Sequence, residues 1–178
     1  MKLLRTIQLD ASDSFIFDRA AAPGEWAVSG AFAFLNRDIP ALPGKSRAAF
    51  RAGFLGLNSL GRSTLVQIVD ATEQDHADVI GLLAAQLVGE FGAPDLVSAS
   101  NAAREEVAFA ASLCDHPAGV VVAVTRSVEG GSIREVFRSL RPAAQSPSRA
   151  FHFVEVVGGE QDPDEHLDLA TLREGTRP

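Results

Sequence analysis

The 178-residue sequence has few of the residues on which several classes of protein depend. Its one cysteine, Cys114, excludes an internal disulfide and any zinc site built from several cysteines. Tyrosine is absent, so no phenol is available as an acid or base. No apolar run approaches the roughly 18 residues that a membrane span needs. The amino-terminal stretch "MKLLRTIQLD" is too short an apolar run for a signal peptide, which makes a cytoplasmic location the expected one.

Charge is plentiful, but it is unevenly distributed along a chain of net charge −7. Residues 70–116 contain nine acids and one base, whereas residues 37–62 contain five bases and one acid, and residues 126–149 five bases and two acids. The overall acidity argues against nucleic acid as a partner. The two basic segments either offset the acidic helices or converge on one anion site. The first interpretation is favoured, because local runs of charge are usually solvated.

The amino-terminal part of the chain is predicted to be rich in antiparallel strands. Short apolar segments predict a meander over residues 3–9, 15–17 and 26–35. Residues 54–57 and 63–69 flank the turn residues Asn58 and Gly61, so they predict a hairpin.

The middle of the chain predicts two neighbouring helices. Thr72 and Asp75 form a helix start signal, and nearly every residue from 79 to 91 is apolar. Such a helix must be covered on several sides, so it is either the central core helix or half of a homodimer interface. Gly92 ends it, and an amphipathic second helix is predicted at about 95–115. A short connection makes the two helices antiparallel.

The carboxyl-terminal part is predicted to return to the sheet. "GVVVAV" (119–124) and "AFHFVEVV" (150–157) predict strands. Residues 132–140 fit a hairpin strand after Gly130-Gly131 or a helix with apolar residues at helical spacing, and the helix is preferred. The whole predicts one α+β domain over residues 1–157, with a mostly antiparallel sheet and the helix pair packed on one face. Residues 158–178 predict an acidic, partly mobile tail with one short helix beginning at Asp162.

One candidate site is a basic segment that resembles part of a phosphate-binding loop. "GKS" at 44–46 lacks the earlier glycine of such a loop, because position 39 is Ile39. If residues 45–52 form a short helix, Arg47 and Arg51 lie on one face of it. A small-molecule site would gather Arg47 and Arg51, with Arg134 or Arg138, around an acidic ligand. The alternative is a solvated connector that anchors nearby phenylalanines in the core.

No catalytic constellation, cofactor motif or metal site is predicted. Cys114 and His116 are close in sequence, but Cys114 falls at the negative end of its helix and on its apolar stripe. A buried, inert thiol is therefore expected, with a Cys114–His116 metal site as a weaker alternative. Glu105 and Glu106, beside Arg104, are interpreted as a solvated face.

Several stretches resemble an uncharacterised bacterial protein family, a domain of unknown function. They are "MKLLRTIQLD", "PGEWAVSGAFAF", "GKSRAAFRAGFLG", "STLVQIV", "FAASLCDHPAG" and "IREVFRSL". The resemblance implies no activity, but the family is associated with gene neighbourhoods for redox-enzyme maturation, which implies an accessory role. The first hypothesis is thus a non-catalytic accessory or binding protein that forms a homodimer through residues 79–91 or binds an unknown protein. The second is a binder or enzyme for an acidic small molecule.

Overall fold

The computed structural model describes the chain over residues 1–141 and 155–156. The strands, in chain order, are β1 (Lys2–Ile7), β2 (Trp26–Val28), β3 (Phe54–Gly56), β4 (Arg62–Ser63), β5 (Leu65–Asp70), β6 (Val121–Glu129), β7 (Ser132–Arg141) and β8 (Glu155–Val156). The helices are α1 (Ser12–Ile16), α2 (Gly44–Ala52), α3 (Glu73–Gly89) and α4 (Leu96–Ser112), with one 3-10 turn at Ala31–Phe34. None of the helices within the described ranges is both long and apolar enough to cross a bilayer.

All eight strands belong to one antiparallel sheet, in the order β4-β3-β2-β1-β5-β6-β7-β8. The amino-terminal strand β1 lies in its middle and pairs with β5 over six residues, from Lys2 opposite Asp70 to Ile7 opposite Leu65. The crossover from β2 to β3 contains α2, and the crossover from β5 to β6 contains α3 and α4. This architecture confirms the predicted α+β class with a mostly antiparallel sheet.

Both helices of the pair begin at a side-chain cap, and the cap of the first is the signal that the sequence predicted. Thr72 and Asp75 form a reciprocal capping box at the start of α3, and the Asp95 carboxylate accepts a hydrogen bond from the Ser98 amide at the start of α4. The two helices pack against each other, and α4 also contacts β1 and β2. Their buried side chains join the apolar strand residues in one main core: Val79, Leu83, Ala84 and Leu87 from α3, and Ala99, Ala103, Val107 and Ala110 from α4. The apolar character of residues 79–91 thus largely reflects burial within one chain.

The preferred helix over residues 132–140 is wrong, because these residues form β7. Gly130 and Gly131 both have positive φ, +56° and +80°, which is the backbone that a two-residue hairpin turn requires. The ladder between β6 and β7 then runs through nine residue pairs, from Glu129 opposite Ser132 to Val121 opposite Leu140. The helical spacing of the apolar residues is overridden by this turn.

Other predicted boundaries also need correction. Residues 15–17 form no strand, because Ser12–Ile16 is the short helix α1. The strand predicted over 26–35 ends at Val28, since Gly30 takes a left-handed conformation and starts the 3-10 turn. The hairpin of β3 with β4 is shorter than predicted, and β5 is a separate strand between β1 and β6. The strand predicted at 150–157 is described only at Glu155–Val156, and the helix predicted from Asp162 lies outside the described residues.

Candidate ligand-binding groove

A buried arginine holds together the end of the sheet at which the candidate site lies. Arg126 on β6 is 2 % exposed, and its Nε donates to Glu135 Oε1 on β7 at 2.7 Å. Its Nη1 donates to the carbonyls of Phe50 and Gly53, both at 2.9 Å, and its Nη2 to the carbonyl of Ser29 at 2.5 Å. Because Phe50 and Gly53 end α2, the guanidinium satisfies carbonyls that have no partner within that helix.

A second arginine lies in the same cluster. Arg62 is 9 % exposed and its Nη1 lies 3.3 Å from the carbonyls of Gly30 and Gly53. Its guanidinium also stacks 4.8 Å from the ring centre of Phe34. Burial, together with the charge of nearby Arg126, lowers the pKa of Arg62 to about 9, which leaves it protonated at neutral pH. Two positive charges are therefore fixed within one corner of the fold.

Glu106 on α4 places a carboxylate close enough to interact with the charge of Arg126. Its Oε1 accepts a hydrogen bond from the Gly30 amide at 2.9 Å, so the prediction that Glu105 and Glu106 form a solvated face is wrong for Glu106. Burial raises the pKa of Glu106, and Glu135 raises it further, whereas the Gly30 amide and Arg126 lower it. Glu105 is exposed, as predicted.

Two cavities adjoin this cluster and form a groove along residues 35–40. The arginine cavity, of about 500 Å³, is lined by Arg47, Arg51, Arg126 and Ser127, together with Phe50. The glutamate cavity, of about 540 Å³, is lined on its polar side by Arg37, Asp38, Ser132 and Glu135, together with Phe34, Leu35 and Ile133. Both cavities are also lined by Ile39, Pro40 and Val128, so they lie side by side.

Arg47 and Arg51 lie on α2 and line the arginine cavity together, as their spacing of four residues predicts. Arg47 Nη2 donates to the carbonyls of Pro40 and Leu42, both at 3.0 Å, which fixes its guanidinium against the loop that leads into α2. Arg51 is exposed and makes no hydrogen bond or ion pair with the part of the chain that the structure describes. Neither charge is neutralised by a described carboxylate within 4.0 Å.

Arg134 and Arg138 occupy a different surface. Both lie on β7 at positions that alternate with Glu135, so they share the strand face opposite to that carboxylate. Arg134 forms an exposed ion pair with Glu129 at 2.9 Å, and Arg138 is exposed opposite Ala123. Neither lines a cavity with Arg47 and Arg51. The basic cluster at the groove is completed by Arg126 instead.

The other candidate, Cys114 with His116, is a thiol in the core beside a half-buried imidazole. Cys114 is 2 % exposed, and burial raises the pKa of its thiol to about 11. The carbonyl of His116 accepts a hydrogen bond from Lys2 Nζ at 2.5 Å, which fixes the backbone after α4. Over residues 1–141 and 155–156, no three His, Cys, Asp or Glu residues are placed to hold a metal ion.

A pattern in the sequence indicates that Arg126 is buried, and it was not recognised in the sequence analysis. Val122, Val124 and Arg126 alternate along β6, and all three are buried. Extending the period of two past the apolar run places Arg126 on the buried face. Glu106 follows Ala103 and precedes Ala110 at helical spacing, which places it at the border of the apolar stripe.

A comparison with protein-family models matches residues 1–156 to DUF6505, a family of unknown function. This match covers most of the chain and agrees with the resemblance seen in the sequence. No curated protein and no solved structure matches the chain.

Proposed function

We propose that this chain, which belongs to the family DUF6505, is a non-catalytic binding protein that holds a small acidic ligand in the groove. The observation that carries the proposal is the pair Arg47 and Arg51, which line one cavity beside the apolar side chains of Ile39 and Val128. An anionic group would meet two guanidinium groups there, while an apolar body would lie on the shared wall of the groove. Pockets that combine apolar walls with a few convergent polar groups are typical ligand sites.

The charge balance of the site supports an acidic ligand. Arg47 is already oriented by the carbonyls of Pro40 and Leu42, so little side-chain entropy is lost when its remaining donors bind an anion. Arg51 has its donors free of described partners. Guanidinium groups bind carboxylates and phosphates through paired hydrogen bonds, which are among the strongest in proteins.

The chemistry of the lining residues supports binding without catalysis. The described residues that line the two cavities include no histidine, cysteine or lysine, which are the usual bases and covalent nucleophiles. Of the serines that line them, Ser127 donates a long hydrogen bond of 3.4 Å to the exposed Glu129, and neither Ser127 nor Ser132 forms a described hydrogen bond with a histidine. Glu135 is engaged by Arg126, whose Nε donates to its Oε1 at 2.7 Å.

The test is a fluorescence titration with 1-anilinonaphthalene-8-sulfonate, a probe that joins an anionic group to an apolar body. We expect saturable binding that the variant Arg51→Gln weakens about tenfold, the scale of one charge-assisted hydrogen bond. The matched control is Arg104→Gln, because Arg104 is an exposed helical arginine that lines neither of the two cavities. Equal binding by both variants, or equal binding of the uncharged N-phenyl-1-naphthylamine, would refute the proposal.

We further propose that the protein is cytoplasmic and acts as an accessory protein. In this proposal it associates with a second copy of itself through α3. The outward side of α3 carries the small residues Gly81 and Ala85 beside Val88, which is 41 % exposed, and this surface supports close helix approach. The free, buried thiol of Cys114 is compatible with a reducing compartment. Light scattering on the protein and on Val88→Glu tests the association, and a monomer at every concentration would exclude it.

A further inference from the structure

We propose that the ligand of the groove is amphoteric, with an anionic group in the arginine cavity and a protonated amine in the glutamate cavity, joined by an apolar segment. This inference rests on the proposed function of the groove and specifies the class of ligand. It follows from the unpaired arginines of one cavity, the free carboxylate oxygen of the other and the apolar wall that the two share.

A ligand that occupies both cavities must be longer than one charged group. Ile39, Pro40 and Val128 line both cavities, so no charged side chain separates the two ends along that wall. Each cavity, at about 500 and 540 Å³, lies within the usual range for small-molecule sites. A molecule that fills both ends must lay an apolar stretch on these three residues.

The two ends differ in the groups that they offer a ligand. The arginine cavity is lined by Arg47 and Arg51, whose charges no described carboxylate offsets, and by Arg126, which is paired with Glu135. The glutamate cavity is lined by the acids Asp38 and Glu135, and Arg37 and Arg126 supply the compensating cations. One end therefore attracts an anion, and the other offers carboxylate oxygens to a hydrogen-bond donor.

Glu135 offers the specific acceptor for that donor. Its Oε1 is occupied by Arg126 Nε and by the hydroxyl of Ser29, which both donate to it. Its Oε2 accepts no hydrogen bond from the described residues, while the side chain is only 16 % exposed. A half-buried carboxylate oxygen without a protein donor favours a ligand that supplies one, and an ammonium group supplies up to three.

A purely anionic ligand would leave this acceptor unsatisfied. A second anionic group placed at this end would meet the oxygens of Asp38 and Glu135, which accept hydrogen bonds but donate none, and Arg126 is already committed to Glu135. A neutral apolar end would desolvate Glu135 Oε2 without replacing the water bound to it. The ammonium group is therefore the end group that the glutamate cavity selects.

The test is isothermal titration calorimetry with matched pairs of ligands, hexanoate against 6-aminohexanoate and octanoate against 8-aminooctanoate. We expect the amine to strengthen binding about tenfold at equal length. Asp38→Asn and Glu135→Gln should each reduce that advantage severalfold, measured as the ratio of the two affinities within the same variant. The glutamine at 135 keeps an oxygen for Arg126 and Ser29, and the exposed Asp38 provides the test if that variant does not fold. Glu105→Gln is the matched control, since Glu105 lines neither cavity.

The outcomes separate this inference from the function on which it rests. Alkanoate binding that depends on Arg51, with no gain from the amine, would overturn the inference and leave the acidic-ligand site in place. An amine gain that persists in both acid variants would overturn the assignment of the amine to the glutamate cavity. If neither series binds, both proposals fail. Trialanine, with a free or an acetylated amino terminus, extends the comparison to short peptides, and weaker binding of the acetylated form supports the inference.

Discussion

Arg126 lies directly opposite Glu135 in the ladder of β6 and β7, and the guanidinium and carboxylate meet at 2.7 Å on the buried side of the hairpin. The same guanidinium bonds the last carbonyls of α2 and the carbonyl of Ser29 after β2. One side chain therefore ties together three segments that are far apart in sequence. A buried charge is tolerated only when it is paired and fully hydrogen-bonded, and Arg126 meets both conditions.

Replacing Arg126 by methionine should destabilise the fold by about 3–5 kcal/mol, the usual result of removing one partner of a buried ion pair. The change leaves Glu135 without its cation and leaves the α2 carbonyls of Phe50 and Gly53 without their donor. Urea unfolding followed by circular dichroism measures the loss. The matched control is Arg138→Met, because Arg138 is an exposed arginine of β7 without a described ion pair and its replacement should change stability by less than about 0.5 kcal/mol. Similar losses in the two variants would contradict this account of the cluster.

Gly30 should not tolerate a side chain, for two reasons that a matched glycine can separate. Its φ is +71°, and an added Cβ would lie 2.5 Å from Leu55 Cβ and 2.9 Å from Arg62 Nη1. We expect Gly30→Ala to destabilise the protein by roughly 2–4 kcal/mol, from backbone strain and from overpacking. Gly24 has a similar φ of +83° but open space around it, so Gly24→Ala should cost only about 1–2 kcal/mol. Thermal unfolding of the two variants checks the difference, and equal costs would rule out the steric contribution.

Local signals in the sequence were enough to predict the helical half of the fold. The Thr72–Asp75 capping box is complete within four residues of chain, so it needs no tertiary information. The helical spacing of Arg47 and Arg51 was likewise sufficient to place both on one side of α2 and in one cavity. These features depend on neighbours three or four residues apart, which the sequence displays directly.

Features that depend on distant contacts were missed. Residues 132–140 satisfy helical spacing, but Gly130 and Gly131 close a two-residue turn, and pairing with β6 then decides the structure. Whether Glu106 is solvated depends on Gly30, a residue 76 positions away. The burial of Arg126 depends on carbonyls of α2 that no local pattern connects to β6.

Glu106 should make stability depend on pH in the mildly acidic range. Burial raises its pKa above the ordinary value of 4.5, so the folded state binds the proton more tightly than the unfolded state does. Its contribution is fully present below about 4.5 and is lost as pH rises through the raised folded value. Glu106→Gln keeps an acceptor for the Gly30 amide but removes the charge. The variant should therefore gain stability relative to the unmodified protein as pH increases.

Urea unfolding at a series of pH values from mildly acidic to neutral measures that gain. Glu105→Gln serves as the control, because Glu105 is exposed one position earlier on the same helix. A difference between Glu106→Gln and the unmodified protein that stays constant across the series would show that Glu106 ionises normally in the folded state.

Cys114 should resist alkylation in the folded protein because its thiol is both buried and poorly ionised. Burial raises its pKa from the ordinary 9.0 to about 11, and only the thiolate reacts with iodoacetamide. The lowered thiolate fraction alone slows the reaction about 100-fold at neutral pH, and the 2 % exposure of the residue slows it further. Mass spectrometry follows the labelling in native buffer and in concentrated guanidinium chloride. The matched control, Cys114→Ala with Ser112→Cys, carries an exposed thiol at the last residue of α4, two positions before Cys114, and should react at an ordinary rate. Native labelling of Cys114 at the rate of that control would instead indicate an accessible, activated thiol and would reopen a chemical role for the residue.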